Sequence, residues 1–270
     1  MSNLIPDCEN CFGLCCVALP YAKSADFAFD KEAGKPCPNL KADYRCQIHA
    51  DLGGKGFRGC TSFECFGAGQ QVSQNTFKNR DWRRHPELQK EMFDVFPVMH
   101  QLHEMLFYLT EILHLQAAWP IHGEVSGILG KTKDLTNMEP DLIMAIDVQA
   151  HREEVNKLLL KASEIVRRNS ALNHISSKKN NGRRDFIGAK LRGEVFCGAN
   201  LRGSLFIAAD LRKADLRYTD LIGADFRDAD LSGANLMRSI FLTQAQVNSA
   251  KGDMHTKLPK GLQRPEHWVK

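Results

Sequence analysis

Nowhere in its 270 residues does the chain carry an uncharged apolar run approaching the ~20 residues that a helix needs to cross a bilayer. A helical membrane span is therefore excluded. The first residues, Met-Ser-Asn-Leu-Ile-Pro-Asp-Cys-Glu, lack the basic stretch and apolar core of an export signal, so the expected compartment is the cytoplasm. There is no Gly-rich phosphate loop, no Gly-x-Ser-x-Gly elbow and no acid–base carboxylate pair, which removes the usual signatures of nucleotide and acyl-transfer chemistry. Asp141 and Asp147, or Glu153 and Glu154, read more simply as solvated helix charges. Past Cys65 only Cys197 remains. The bulk composition, 43% hydrophobic and 25% charged, is that of a soluble protein long enough for two modest domains, or one with a solenoid attached.

The formal charge of +4 is unevenly spread. Residues 176–184 contribute +4, residues 185–243 balance eight acidic against eight basic side chains, and the tail adds +3. A basic flank can attract an acidic surface, but a solvated linker and tail account for it as simply.

From Phe186 to Phe241, Phe or Leu stands at every fifth position: Phe186, Leu191, Phe196, Leu201, Phe206, Leu211, Leu216, Leu221, Phe226, Leu231, Leu236 and Phe241. Two residues before most of them stands a small one, such as Ala199, Ser204, Ala209, Ala214, Thr219 or Ala224. Neither the 3.6 period of a helix nor the 2 of a strand buries such a stripe. A fixed period means a repeat architecture whose units are stable only when stacked. The units Ala-Asp-Leu-Arg-Lys, Ala-Asp-Leu-Arg-Tyr, Thr-Asp-Leu-Ile-Gly, Ala-Asp-Phe-Arg-Asp, Ala-Asp-Leu-Ser-Gly and Ala-Asn-Leu-Met-Arg closely resemble the pentapeptide-repeat family.

The resemblance implies a right-handed quadrilateral β-helix of about three coils over residues 185–243, one unit per side and four per coil. At ~4.8 Å between coils the stack would stand about 14 Å tall. The large residue and the small one before it would point inward, each large side chain contributing roughly 1.5–3 kcal/mol before chain entropy is subtracted. The three other positions would face solvent. Glu194, at an inward position, predicts a distorted first coil or a contact with the helical domain, and Cys197 should face outward. Thr243-Gln244-Ala245-Gln246 reads as a capping box for a short helix ending at Gly252, with Trp268 in the tail as a packing anchor.

Eight of nine cysteines fall in the first 65 residues: Cys8, Cys11, Cys15, Cys16, Cys37, Cys46, Cys60 and Cys65. In a chain without an export signal such clustering points to metal rather than to disulfides. Cys8-x2-Cys11 is a chelating knuckle, Cys15-Cys16 follows closely, and Cys60-x4-Cys65 is another near pair. Thiolates suit zinc and iron–sulfur clusters alike, so two zinc sites, a bridged two-zinc cluster or one four-iron cluster with spare ligands all remain open. His49 is a possible extra ligand. The pattern Cys-x2-Cys-x3-Cys-Cys, with Cys37-Pro38-Asn39-Leu40, Cys46-Gln47-Ile48-His49 and Cys60-x4-Cys65, resembles the bacterial domain described as zinc- or iron-chelating. His49 and the stretch after it replace that family's Tyr and Arg-Pro step.

Between these regions, apolar residues at Leu88, Met92, Phe96, Met99, Leu102, Leu106, Leu109 and Leu113 predict a helix over 87–116, with Pro97 set to kink or split it. A second helical run follows Glu139-Pro140-Asp141 and continues through Ile165 and Val166 towards Arg167-Arg168. His100, His103 and Glu104 could stand together on the first helix, though spacing alone makes them partly exposed residues of an amphipathic helix.

The expected organisation is mixed. A Cys-rich metal-binding module occupies 1–75, an α-helical middle domain 76–175, a basic linker 176–184, the β-helix 185–243, and a cap and tail 244–270. The leading functional expectation is a cytoplasmic metal-binding protein acting as a non-catalytic interaction scaffold. It would carry zinc or an iron–sulfur cluster and meet a protein partner through the repeats, with neither nucleic acid nor membrane as partner. The alternatives are an iron–sulfur redox or radical enzyme centred on the cysteines, and a DNA mimic acting on gyrase, as some pentapeptide-repeat proteins do. The latter needs a long acidic surface, and three coils are short against one ~34 Å turn of duplex.

Overall fold

The structure, a computed structural model, describes residues 4–171 and 184–269. Most of the basic linker expected at 176–184 lies outside these residues; Arg184 is its described member. The chain divides into two compact units, one of Met1–His114 with Ile121–Leu158, the other of Leu115–Pro120 with Leu159–Lys270.

The first unit begins with short elements. These are α1 (Leu14–Val17), α2 (Arg58–Thr61) and α3 (Ala68–Gln70), the last running into a π-helical turn over Gln71–Thr76. Residues 18–57 hold little regular structure beyond a 3-10 turn at His49–Asp51 and two single antiparallel bridges, Tyr21 with Lys31 and Leu40 with Cys46. The longer helices follow: α4 (Gln89–His114), α5 (His122–Thr136), α6 (Pro140–Met144) and α7 (Val148–Ala171), whose residues from Leu159 onwards belong to the second unit. The apolar stripe of α4 is buried as its spacing predicts, with Met92, Phe96, Met99, Leu102 and Leu109 fully enclosed. Leu14 and Val17 of α1, and Ala68 and Val72 from the α3 turn, pack in one core cluster with Met92, Phe96 and Met99. The cysteine-rich segment and the helices therefore share a core.

Three helical expectations need correcting. Pro97 does not split α4, which runs unbroken through it. Its missing N–H falls within a helix whose apolar side is fixed by packing, and tertiary burial outweighs the local loss. The run from Pro140 is two helices, because α6 stops at Met144 and α7 begins at Val148. Helix α5 was not anticipated; Gly123, Gly127 and Gly130 dilute its apolar pattern, leaving Val125 as its one fully buried large side chain.

In the second unit, parallel bridges join residues twenty apart: Asp185–Leu205–Asp225, Lys190–Asp210–Asp230, Val195–Asp215–Asn235 and Asn200–Asp220–Ile240. Four pentapeptides thus complete each coil, and each side is short enough to bridge through a single residue. The Phe186, Phe206 and Phe226 rings stack directly, their centroids 4.9 and 5.2 Å apart, which is the expected coil spacing. The chain turns each corner through a left-handed residue two after the large one, with φ between +56° and +72° from Gly188 to Arg238. Six of these corners are glycine; Ala208, Lys213, Tyr218, Asp228 and Arg238 adopt the same conformation at a steric cost.

The distorted coil that Glu194 predicts as one alternative is absent. Its N–H donates to Leu191 O (3.1 Å) and its carbonyl accepts from Asp215 N (2.9 Å), the same pattern as at neighbouring units. A half-buried Glu side chain is accommodated without altering the backbone, whose bonds do not depend on side-chain identity. Cys197 was expected at the surface and is instead buried, with 2% of its surface exposed. Beside it, the Gly198 carbonyl accepts a hydrogen bond from Arg167 Nε (3.0 Å), near the end of α7.

The capping box is formed: Thr243 Oγ1 accepts from Gln246 N, and Gln246 Oε1 accepts from Thr243 N. Helix α8 (Gln244–Ser249) ends before Gly252 rather than at it. Gly252 has another role, since a Cβ there would lie 2.5 Å from the ring of Trp268. Trp268 is buried, and its indole N–H donates to Ala250 O (2.8 Å), making it the anchor its position suggests. Lys251 and Lys257 add further parallel bridges to Asp230 and Asn235, so the tail continues two of the ladders.

Candidate metal centre

Four backbone features deliver the cysteines. Gly13, left-handed at φ +67°, starts α1, which carries Cys15 and Cys16. Its missing Cβ leaves room for Leu40 and the Tyr44 carbonyl. The Cys37 N–H donates to Cys16 O (2.9 Å), tying the second cysteine segment to the first. The Leu40–Cys46 bridge closes a loop that returns Cys46. Helix α2 carries Cys60, and Cys65 precedes the Gly67 turn into α3.

The result is a gathering of thiols about the Cys15–Cys16 pair, whose Sγ atoms stand 3.9 Å apart. Cys16 lies within electrostatic reach of Cys8, Cys11, Cys46 and Cys60, and Cys15 within reach of Cys11 and Cys65. Cys37 in turn stands within reach of Cys46 and Cys60. All eight cysteines read from the sequence thus fall in one neighbourhood, and all are free thiols. Among the described residues, however, no three His, Cys, Asp or Glu side chains close to metal-holding distance.

Burial governs the acidity of most of these thiols. It pushes Cys60 and Cys65 up to about 12 and raises Cys8, Cys11 and Cys46. The central pair is the exception. The contact between the two sulfurs raises Cys15 and, with help from Lys31, lowers Cys16. Cys16 is thus the one sulfur of the pair moved towards the thiolate form.

The surroundings suit thiolate chemistry. Backbone N–H groups point at sulfur from just downstream: Gly13 and Leu14 at Cys11, Asn39 at Cys37 (3.5 Å), Ile48 at Cys46, and Gly67 and Gly69 at Cys65. Such donors favour the ionised sulfur that a metal requires. A Zn–S bond of ~2.3 Å in a tetrahedron places sulfurs roughly 3.8 Å apart, close to the Cys15–Cys16 separation. The donor set fits a thiolate-bound metal.

His49 is exposed in its 3-10 turn. His100 and His103 do not form a site with Glu104. Their ring nitrogens face the carbonyls of Glu64 (2.7 Å) and Phe66 (2.8 Å), and Glu104 pairs with Arg152 (3.2 Å). Far from being partly exposed, His103 is 3% exposed. The two imidazoles hold the backbone on either side of Cys65. Sequence reasoning missed this, and it also missed Lys31, a lone lysine in a loop whose spacing carries no signal.

A family model for pentapeptide repeats matches residues 204–241 with eight copies. The uncharacterized protein YybG of Bacillus subtilis (strain 168) is 60% identical over 266 residues, spanning 98% of this chain and 95% of that protein. The chain belongs to the YybG family. Membership spans the cysteine-rich segment as well as the repeats. Among solved structures, a pentapeptide repeat protein from Nostoc Pcc 7120 is 35% identical, covering 30% of this chain and 79% of its own, with a TM-score of 0.13. A pentapeptide repeat protein from the Arabidopsis thaliana thylakoid lumen is 28% identical, covering 32% and 62%, also with a TM-score of 0.13. The repeat match begins at Ser204, whereas the ladder of this YybG-family chain already begins at Asp185. Its first coil carries Lys190, Glu194 and Val195 where later units have Asp and Ala.

Proposed function

We propose that the first unit is a metal–thiolate module served by Cys8, Cys11, Cys15, Cys16, Cys37, Cys46, Cys60 and Cys65, and that the repeats form a right-handed β-helix acting as a non-catalytic protein-interaction scaffold in the cytoplasm. The observation that carries the metal reading is the convergence of eight free thiols, from sequence positions 8 to 65, on one neighbourhood supplied with N–H donors. When bound, the metal supplies a cross-link among segments that have little regular structure of their own. The chain's own residues prepare for it: the glycine turns aim the sulfurs, the amides stabilise negative charge on them, and the core beneath α1 and α3 fixes their backbone.

The scaffold reading rests on the β-helix surface. Asp210, Asp215 and Asp225 are each gripped by the Arg two residues on, at 2.6–2.7 Å. Paired charges of this kind suit a mixed-charge protein surface and speak against a row of free carboxylates imitating DNA phosphates. No helix of the described residues is long and apolar enough to cross a membrane.

Anaerobic purification with metal analysis and an optical spectrum tests the metal reading. Stoichiometric zinc in a colourless protein is the expected result. Brown protein with broad visible absorbance would shift the assignment to an iron–sulfur cluster and bring forward redox or radical catalysis. Protein free of both metals, unable to take up either under reducing conditions, would overturn the proposal.

A further inference from the structure

One cation is buried among the thiols. Lys31 is 6% exposed, and its ammonium donates to Val17 O (3.0 Å), Leu19 O (2.6 Å) and Glu32 O (3.1 Å). These three carbonyls use all three of its N–H donors. They do not neutralise its charge. The acidic groups within its electrostatic reach are Cys37, Cys16 and Cys15, with no carboxylate among them. An ammonium buried without a negative partner is costly, so its retention asks for a compensating charge nearby.

The backbone places it deliberately. Lys31 and Tyr21 form an antiparallel bridge with N–H···O distances of 2.8 and 3.0 Å. The Lys31 ammonium lies 5.7 Å from the Tyr21 ring centroid, while the Tyr21 hydroxyl donates to Cys37 Sγ (3.3 Å). Through Val17 O the same ammonium holds the end of α1, the helix that carries Cys15 and Cys16.

We infer that Lys31 is the built-in counter-charge of the cysteine cluster, a positioning residue that sets its affinity for metal by offsetting the negative charge of the metal–thiolate centre. The inference rests on the metal reading above. Four thiolates on one divalent ion leave a formal charge of −2, and a fixed, buried cation within electrostatic reach favours that centre. A lysine serving only to cap carbonyls would be replaceable by a neutral donor; a counter-charge would not.

The test measures zinc(II) affinity of the full-length, reduced protein by competition with a chromophoric chelator. It compares wild type with Lys31→Arg, Lys31→Gln and Lys31→Met. Lys31→Gln, a neutral donor, is expected to bind about tenfold or more weakly, and Lys31→Arg to stay within about threefold of wild type. Unfolding midpoints of the metal-free proteins separate a loss of affinity from a loss of fold. Where Lys31→Gln does not fold, Lys31→Met keeps the apolar stem without a buried donor and carries the same expectation. Equal affinity in wild type and the neutral variants would overturn the role of Lys31, as would Lys31→Arg binding no better than Lys31→Gln. Wild type that takes up neither zinc nor, on reconstitution with iron(II) and sulfide under reducing conditions, iron would overturn the metal reading itself.

Discussion

At the scale of single residues, His151 shows how burial turns a side chain into a pH sensor. It is 4% exposed, and its Nε2 lies 2.9 Å from Thr132 Oγ1. The Thr132 hydroxyl already donates to Ile128 O (2.7 Å), so Thr132 must accept and His151 must carry its proton on Nε2. Nδ1 is left buried without a partner. Protonating it would create an N–H with no acceptor, and burial, reinforced by nearby Lys131, lowers the imidazole below its usual range. The unfolded chain therefore takes up a proton first as pH falls. The stability associated with neutral His151 is complete above about pH 6.5 and is lost progressively below it, by at most ~1.4 kcal/mol per pH unit. Urea unfolding at pH 7.5 and pH 5 should show this loss, and a His151→Gln variant should flatten the slope. An unchanged slope would assign the acid sensitivity to other groups, such as buried His103, which burial also lowers.

Within the pentapeptide element, the Asp or Asn that precedes most of the large residues proves to be structural. Asp and Asn side chains accept the backbone N–H two residues on, as Asp210 does from Arg212 (3.2 Å), Asp220 from Ile222 (3.1 Å) and Asn235 from Met237 (3.1 Å). Where Asp or Asn stands there, the corner is pinned by an Asx turn, which favours those two residues over other polar ones; Lys190, Val195, Leu205 and Ile240 hold the same position without one. Asp220 goes further: its fully buried side chain also pairs with Arg202 at 3.0 Å. Asp220→Ala should therefore destabilise the β-helix by about 3 kcal/mol, whereas Asp210→Ala, at a partly exposed pair, should cost no more than about 1 kcal/mol. Denaturant titration of the two variants gives the comparison, and equal losses would refute the buried-pair argument. The sequence made a stacked repeat legible because twelve Phe or Leu at a period of five suit neither a lone helix nor a lone strand, and the resemblance to pentapeptide repeats supplied the coil. It hid the Asx turns, since a side chain that bonds its own backbone looks the same in sequence as one facing water. It also hid the fate of Cys197, because outward on a coil is not the same as exposed. Helix α5 escaped for a related reason, being placed by neighbours on α4 rather than by a stripe of its own.

For the whole molecule, the two units are held by different means, and this predicts different responses to metal removal. The β-helix has a continuous core running from Phe186 to Leu236, sealed by Val247, Ala250 and Trp268, and its inter-coil hydrogen bonds run between its own backbone groups. The first unit is divided in character. Its α4 side is densely packed, while residues 18–57 depend on a few turns, two single bridges and the aromatic group of Tyr21, Phe27, Phe29 and Phe57. A metal held by thiols in that loop region would contribute folding free energy directly, because the unfolded chain offers no preformed site. Chelation under reducing conditions should then lower the thermal transition of the first unit and leave that of the β-helix in place, resolving one broad calorimetric peak into two. Hydrogen exchange gives the same comparison by segment: protection should fall across 8–65 and stay unchanged across 185–243. Protection lost equally in both segments would mean that the second unit also depends on the metal. Protection unchanged in both would mean that the aromatic group and the α4 core hold the cysteine loops without it, which would separate the gathering of the thiols from any metal they bind.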